Sequence, residues 1–316
     1  MDIIQVITKE LNVEKWQVEA AVKLIDEGCT IPFISRYRKE ATGSLNDEQL
    51  RTLHERLTYL RNLEEKKNQV LGSIEEQGKL TAELKKQILD AQTLVVVEDL
   101  YRPFRPKRRT RAIIAKEKGL EPLANIIMLQ MTDKPIEEEA QDFVSEEKGV
   151  ETVADAINGA KDIIAEHISD EADYRIYLRK LIMDKGSVAS AAKKPEEASV
   201  YEMYYEFEEP IKKLAGHRVL ALNRGEKEKI LTVKVNAPEE EAMGWLQKQV
   251  ITKENPITKP ILREVVEDSY KRLIAPAIER EIRSDLTEKA EDGAIHVFGK
   301  NLEQLLMQPP IVGKVV

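Results

Sequence analysis

The sequence is poor in several residue types, and each shortage excludes a class of protein. A single cysteine, Cys29, cannot form an internal disulfide, and we expect it to be a small buried hydrophobe in a reducing compartment. Apolar runs stay far below the roughly 20 residues that a membrane-spanning helix needs. Residues 1–12 lack the basic-then-apolar order of a secretory signal. We therefore expect a cytoplasmic protein without a membrane partner.

Aromatic residues, at 5%, are also scarce, and so are glycine and proline, with 14 and 13 copies in 316 residues. Apolar residues make up 42% of the chain and charged residues 34%. Such a mixture is typical of helical domains with solvated faces and argues against a large β-sandwich. Five leucines with alternating three- and four-residue spacing predict one long helix with a buried seam. These leucines are Leu50, Leu53, Leu57, Leu60 and Leu63. The predicted fold class is mainly α.

The pattern predicts two regions. Residues 1–190 form a multi-helical N-terminal region, and its first three short helices make a helix-turn-helix-like part. Residues 186–199 are small and polar, which is typical of a linker, so we place the boundary after residue 190. Residues 191–316 then form a central helical region. The three short helices are expected near residues 2–10, 13–27 and 31–39.

One small β element is expected in the central region, at about residues 218–235. Residues 230–235 alternate apolar and polar side chains and predict a strand. Its expected partner is 219–222, because Asn223-Arg224-Gly225 between them has turn composition. The interpretation is a single strand pair.

Motifs of catalysis and metal binding are missing. The four histidines stand in no ligand spacing with one another or with the cysteine. There is no glycine-rich phosphate loop, nucleophile elbow or kinase signature. We therefore expect no enzymatic activity, no cofactor, no metal and no small-molecule substrate.

Positive charge is concentrated in residues 101–118, which we name the basic segment. It holds eight lysines and arginines and one acid, Glu117, so its net charge is +7. The whole chain carries −8, which leaves −15 for the other residues. Something must offset the repulsion within the basic segment. Phosphates, the acidic remainder of the chain and an acidic partner protein are the three alternatives.

The aromatic residues of the basic segment also leave two interpretations open. Tyr101 and Phe104 lie among the arginines, which suits stacking on unpaired bases next to phosphate contacts. The same rings could instead anchor the segment in the core. A smaller basic group lies near residues 36–39. The candidate nucleic-acid-binding residues are Tyr101, Arg102, Phe104, Arg105, Lys107, Arg108, Arg109, Arg111, Arg36, Arg38 and Lys39.

Four strings resemble signature segments of the Tex family of bacterial transcription accessory proteins. They are IPFISRYRKEATGSL (31–45), EDLYRPFRPKRRTRA (98–112), EPIKKLAGHRVLALNRGEKE (209–228) and DSYKRLIAPAIEREIRSDLTEKAE (268–291). The resemblance covers essentially the whole chain. It implies the N-terminal and central helical regions of a Tex protein, truncated before a ribonuclease-H-like domain into which a string like QPPIVGKVV (308–316) leads in the family.

The resemblance implies a nucleic-acid-binding function in transcription. RNA is favoured over DNA, binding is expected to be independent of sequence, and the transcription machinery is a further expected partner. In the family, the main nucleic-acid contacts lie in a C-terminal OB-fold domain that this chain lacks. The alternative is therefore a helical scaffold that positions the C-terminal catalytic-like and OB-fold domains without touching nucleic acid.

Overall fold

The computed structural model describes residues 2–308, and their contacts divide the chain into two compact units that meet in sequence at Arg105 and Pro106. We name them unit 1 and unit 2. Helices dominate both, which confirms the mainly α prediction. Most of the string at 308–316 lies outside the described residues.

Unit 1 is built around one long helix, α4 (Asp47–Glu76). The leucine seam predicted for it is confirmed, because all five of its leucines are buried. Asn46 caps the first turn by accepting a hydrogen bond from the backbone amide of Gln49 at 2.8 Å. The other helices of unit 1 all contact α4. They are α1 (Ile3–Leu11), α2 (Lys15–Asp26), α3 (Ile31–Tyr37), α5 (Ala82–Asp90) and α6 (Leu94–Tyr101).

The three short helices predicted at the N-terminus are present as α1, α2 and α3. Ion pairs hold the first two against α4, with Arg56 on Glu10 and Arg61 on Asp26. Helix α3 also contacts α4, and the side chain of its Ile34 is fully buried. The helix-turn-helix-like character of this part stays a prediction.

Unit 2 is arranged around α10 (Val153–Asp170), which contacts helices on several sides. A π-helical turn, Ser269–Ile274, joins α14 to α15 without a break in the helical path. Inside that turn, the buried hydroxyl of Ser269 donates to the Ala165 carbonyl at 2.7 Å. The remaining helices are α7 (Arg111–Glu117), α8 (Glu121–Leu129), α9 (Ile136–Gln141), α11 (Ala172–Lys185), α12 (Gly216–Lys227), α13 (Glu239–Val250), α14 (Thr258–Asp268) and α15 (Ala275–Leu306).

The β element differs from the predicted strand pair. Among the described residues it is a three-stranded antiparallel sheet of order β2-β1-β3, formed by β1 (Ser187–Ala192), β2 (Glu206–Pro210) and β3 (Leu231–Asn236). The strand predicted over 230–235 is therefore confirmed as β3. Its partner is β1, which lies in the stretch interpreted as a linker. The predicted domain boundary at 190/191 falls within β1, whereas the two compact units divide at residue 105.

The partner predicted at 219–222 was wrong, and so was the turn that follows it. Both belong to α12, whose Ala and Leu residues are strong helix formers. Gly225 is not a turn residue, because it lies inside the helix where β3 packs closely. A Cβ added there would lie 2.6 Å from the Leu231 side chain.

Candidate nucleic-acid interface

The candidate residues fall in both units, and each unit is described by itself. Unit 1 contains Arg36, Arg38 and Lys39 together with the first half of the basic segment. Unit 2 contains Lys107, Arg108, Arg109 and Arg111, which lie just before and at the start of α7.

The side chain of Tyr101 and the backbone of Phe104 are both attached to unit 1. The hydroxyl of Tyr101 shares a hydrogen bond with that of Ser73 on α4 at 2.9 Å. The Gln77 amide donates to the Phe104 carbonyl at 3.0 Å, and the backbone of Arg105 closes a turn on Tyr101 at 3.0 Å. Both rings are half-buried. These contacts favour the anchoring interpretation for Tyr101, whereas for Phe104 they fix the backbone and leave both interpretations of the ring open.

Two arginines of the basic segment belong to unit 1. Arg102 is half-buried, and its backbone amide donates to the Asp99 carbonyl at 3.2 Å. Arg105 is exposed, and its guanidinium lies 3.9 Å from a carboxylate oxygen of Glu98, whose other oxygen accepts from Lys66 at 2.5 Å. A long, exposed pair of this kind contributes little stability, so Arg105 can exchange Glu98 for a phosphate.

The smaller basic group lies at the end of α3 and includes two rings that the sequence analysis missed. Arg36, Arg38 and Lys39 are all exposed, as are Phe33 and Tyr37. The rings of Phe33 and Tyr37 have centroids 5.4 Å apart, and the Arg38 guanidinium lies 5.7 Å from the Phe33 centroid. We name these five residues the aromatic–arginine cluster. The alternation of rings and cations in FISRYRK is the signal that could have revealed it.

The loop after α3 fixes the position of the cluster. The amide and hydroxyl of Thr42 both donate to the Arg38 carbonyl at 3.2 Å. Gln17 on α2 donates to the Gly43 carbonyl at 3.0 Å, and Trp16 lies against Gly43. Gly43 has a φ of +62°, which favours glycine, and a Cβ there would lie 2.5 Å from the Trp16 ring. The end of α3 is therefore held by a defined loop.

In unit 2, the charge of Lys107 is neutralised by carboxylates of the folded chain. Its ammonium group pairs with Asp170 at the end of α10 and lies 3.6 Å from a Glu166 oxygen. The lysine side chain is only 22% exposed, and the two carboxylates are still less exposed. Lys107 therefore has a structural role. Of the three partners considered for the basic segment, the acidic remainder of the chain is the one that Lys107 contacts.

The three arginines after Lys107 are differently placed. Arg109 pairs with Glu117 at 2.9 Å, but both side chains are more than half exposed. Arg108 is exposed and forms no ion pair with any residue in the described range. Arg111 is exposed at the first position of α7, where the Thr110 hydroxyl caps the helix by accepting from Ile113 at 3.1 Å. These guanidinium groups can reach a ligand without breaking a buried contact.

The setting of Arg111 is not explained by helix stability. A cation at the N-terminus of a helix opposes the helix dipole. The acid whose pKa Arg111 affects is Asp162 on α10. No carboxylate of residues 2–308 is within ion-pair distance of Arg111. Burial raises the pKa of Asp162, while Arg272 and Arg111 act in the opposite direction. Arg111 thus acts on the pKa of Asp162 without forming an ion pair in the described residues.

The last two cations of the basic segment have partners near α7. Lys116 pairs with Glu121 at 2.9 Å, and Lys118 donates to the Gly149 carbonyl at 2.6 Å.

Over residues 2–308, no cluster of three or more His, Cys, Asp or Glu side chains is arranged to hold a metal ion. None of the helices described is long and apolar enough to cross a membrane.

Two family matches agree with these units. Residues 131–298 match the Tex central region-like family, and residues 1–75 match the Tex-like protein N-terminal domain. The chain belongs to the Tex family. The resemblance inferred from the four sequence strings is therefore confirmed.

Similar proteins occur in bacteria and in eukaryotes. YdcI of Bacillus subtilis (strain 168) is 50% identical over 315 residues, which are 99% of this chain and 44% of YdcI. The transcriptional accessory protein Tex of Neisseria gonorrhoeae is 37% identical over 98% of this chain and 42% of its own length. The human S1 RNA-binding domain-containing protein 1 is 32% identical over 99% of this chain and 33% of its own length. This Tex-family chain therefore spans less than half the length of these relatives.

Proposed function

We propose that this Tex-family chain is a nucleic-acid-binding module of a transcription accessory protein, and that it contacts RNA in a sequence-independent way. The observation that carries the proposal is the state of the basic segment in unit 2. Arg108 has no ion pair within the described residues, and its neighbours Arg109 and Arg111 remain exposed. The names of the relatives, a transcriptional accessory protein and an S1 RNA-binding domain-containing protein, support the functional class.

Arginine chemistry supports phosphate as the ligand. A guanidinium group presents a planar set of donors that match phosphate oxygens in pairs. Phosphate contacts carry no sequence information, which is the basis for sequence-independent binding. In unit 1, Arg36, Arg38 and Lys39 extend the set of exposed cations. Lys107 is left out of the proposed contact, because its ammonium group is already engaged by two carboxylates.

The proposal is tested by binding of the 316-residue chain to labelled single-stranded RNA, single-stranded DNA and duplex DNA between about 50 and 200 mM salt. We expect the double variant R108A/R111A to weaken binding to all three. Each lost phosphate contact lowers the slope of log affinity against log salt by about 0.7 for single strands, so the double variant should lower it by about 1.4.

The matched control is K227A/K248A, which changes the net charge of the chain by the same amount. Both lysines are exposed, and neither forms an ion pair in the part of the chain described. This control should leave the slope nearly unchanged. Absence of binding by the wild-type chain at low salt, or an equal loss of affinity in both double variants, would contradict the proposal.

A second candidate function is the scaffold, and one observation favours it. Helix α15 exposes an apolar row near its end, formed by Ile295, Phe298, Leu302 and Leu305. Exposed apolar surface of this extent on one helix face is typical of a surface that meets another protein part. In this function the chain would position the rest of a longer Tex-family protein. It predicts no binding of nucleic acid by the 316-residue chain even at low salt.

A further inference from the structure

We infer that an open apolar groove at the end of α8 binds a segment of a partner protein in which large apolar side chains are flanked by lysines or arginines. We name it the α8 groove. The residues that define it are Ile126, Leu129, Met131, Asp133, Lys134 and Glu139. This protein-binding site lies outside the residues proposed to contact nucleic acid and goes beyond the proposed function.

The exposure of two large apolar side chains in the groove is the first observation. Leu129 is 61% exposed and Met131 is 68% exposed. The open groove that they line has a volume of about 390 Å³. Exposed apolar side chains that line a concave surface are typical of an interaction site, because burial against a partner removes them from water.

The residue between these two side chains holds them in place. Gln130 is buried and has a φ of +54°, which is uncommon for a residue other than glycine. Its side-chain amide donates to the Val250 carbonyl at 2.9 Å, and its side-chain oxygen accepts from the backbone amides of Thr252 and Lys253 at 3.1 Å. The backbone on both sides of Gln130 is therefore ordered before any partner binds, which lowers the entropic cost of binding.

Negative charge around the groove is the second observation. Residues 133–142 contain five acids and one lysine, so their net charge is −4. Asp133 and Glu139 belong to the groove itself, and neither forms an ion pair within the described residues. Lys253 lies close by, but its ammonium group donates to the Leu129 carbonyl at 3.1 Å. Even with this lysine counted, the net charge around the groove stays negative.

The apolar groove and its acidic surroundings together define the partner. Protein interfaces commonly combine an apolar centre with a polar rim, and charges of opposite sign across the rim favour encounter and specificity. The acids repel a polyanion such as RNA and attract lysines and arginines. A groove of this volume takes a few side chains, which suits a short segment better than the face of a whole domain.

The test is titration of the 316-residue chain with a short, fluorescently labelled synthetic peptide. Its leucines recur at the spacing of one helix face, and lysines fill the other positions. A second peptide carries glutamate in place of every lysine, and a third carries serine in place of every leucine. We expect the first peptide to bind and the other two to bind at least about tenfold more weakly.

The apolar contact is tested by the double variant L129S/M131S, which changes no charge. It should weaken binding of the leucine–lysine peptide about tenfold or more and leave the salt dependence unchanged. The matched control is V200S/M203S. Val200 and Met203 are more exposed than the two groove residues and lie outside the groove, so their replacement should leave peptide affinity unchanged.

The charge contact is tested by D133N/E139Q. A glutamine at position 139 can still accept the hydrogen bond that Thr132 donates to Glu139 at 2.6 Å. Peptide affinity should fall about fivefold at low salt, and the difference from the wild type should shrink at high salt. The matched control is E75Q/E76Q, which removes two neighbouring exposed acids of α4 and should have little effect.

The outcomes separate this inference from the proposed function. L129S/M131S should leave RNA affinity unchanged, and R108A/R111A should leave peptide affinity unchanged. Urea unfolding checks that each variant folds.

Three results would overturn the inference and leave the proposed function standing. The first is equal peptide affinity of L129S/M131S and V200S/M203S. The second is equally tight binding of the glutamate peptide. The third is a dimer in analytical ultracentrifugation that L129S/M131S converts to a monomer, because a second copy would then cover the groove. Loss of RNA binding alone would instead contradict only the proposed function.

Discussion

Replacing Lys107 by alanine should lower the free energy of unfolding by about 2 kcal/mol and leave nucleic-acid affinity nearly unchanged. The lysine is 22% exposed and faces Asp170 and Glu166, which are 11% and 19% exposed. Removal of one partner from a fully buried pair costs about 3–5 kcal/mol, whereas an exposed pair contributes less than about 1 kcal/mol. The partial burial of Lys107 places the expected loss between these limits.

The measurement is urea unfolding of the wild type, Lys107→Ala, Asp170→Asn and the double variant. Because the two side chains touch, the effects of the two substitutions should not add, and a coupling energy of about 1–2 kcal/mol is expected. Lys116→Ala is the matched control. Its pair with Glu121 is 2.9 Å long, but both side chains are about half exposed, so its loss should stay below about 0.5 kcal/mol.

One result would refute the reasoning on Lys107. If Lys107→Ala costs no more stability than Lys116→Ala and also weakens RNA binding, the contacts with Asp170 and Glu166 are dispensable. Lys107 would then belong with Arg108 among the residues proposed to bind the ligand.

Two further predictions concern other contacts. Gly43→Ala should lower the free energy of unfolding by about 2 kcal/mol or more, because the new Cβ adds a 2.5 Å clash with Trp16 to the strain of a positive φ. Gly78→Ala, with a φ of +65° and no atom within 4 Å of the new Cβ, should cost only the strain, about 1 kcal/mol, when both are compared in thermal melts. The hydrogen bond from Arg283 holds the pKa of Glu226 below its ordinary value of 4.5, so its stabilising effect is present above that pH and is lost as the pH falls through the lowered pKa. The stability difference between the wild type and Arg283→Met, measured by urea unfolding, should therefore be largest near pH 7 and shrink as the pH falls below 4.5, and a difference independent of pH would contradict it.

The helices could be predicted from the sequence because their signals are local. The spacing of the leucines in α4 places one face in the core, and Asn46 and Thr81 cap helices through hydrogen bonds within three residues. These signals need no knowledge of the rest of the chain.

The sheet could be predicted only in part, because its pairing is decided by distant residues. Strand β3 has the alternation of a half-buried strand, but β1 reads Ser-Val-Ala-Ser-Ala-Ala, with small residues of low strand propensity. β1 becomes the central strand because β2 and β3 pair with its two edges. Tertiary pairing outweighs local propensity in this case.

The candidate interface shows the same limit. Charge density located the basic segment, but neighbouring cations in it differ in whether they have a carboxylate partner. Lys107 is neutralised by Asp170, which is 63 residues away in the sequence, and Arg108 has no carboxylate partner in the described range. The rings of Phe33 and Tyr37 were missed because their spacing of four residues is equally typical of a buried helix face.

The cations of the basic segment therefore fall into two groups, according to whether the side chain contacts an oxygen of the folded chain. Cations whose side chains meet a carboxylate or carbonyl of the folded chain, such as Lys107 and Lys118, serve stability. Arg111 serves it poorly, because it opposes the dipole of the helix that it begins. Arg111 is also exposed and forms no ion pair within the described residues, so no ion pair there offsets this cost. Under the proposed function, phosphate contacts would neutralise the exposed charges of Arg108 and Arg111.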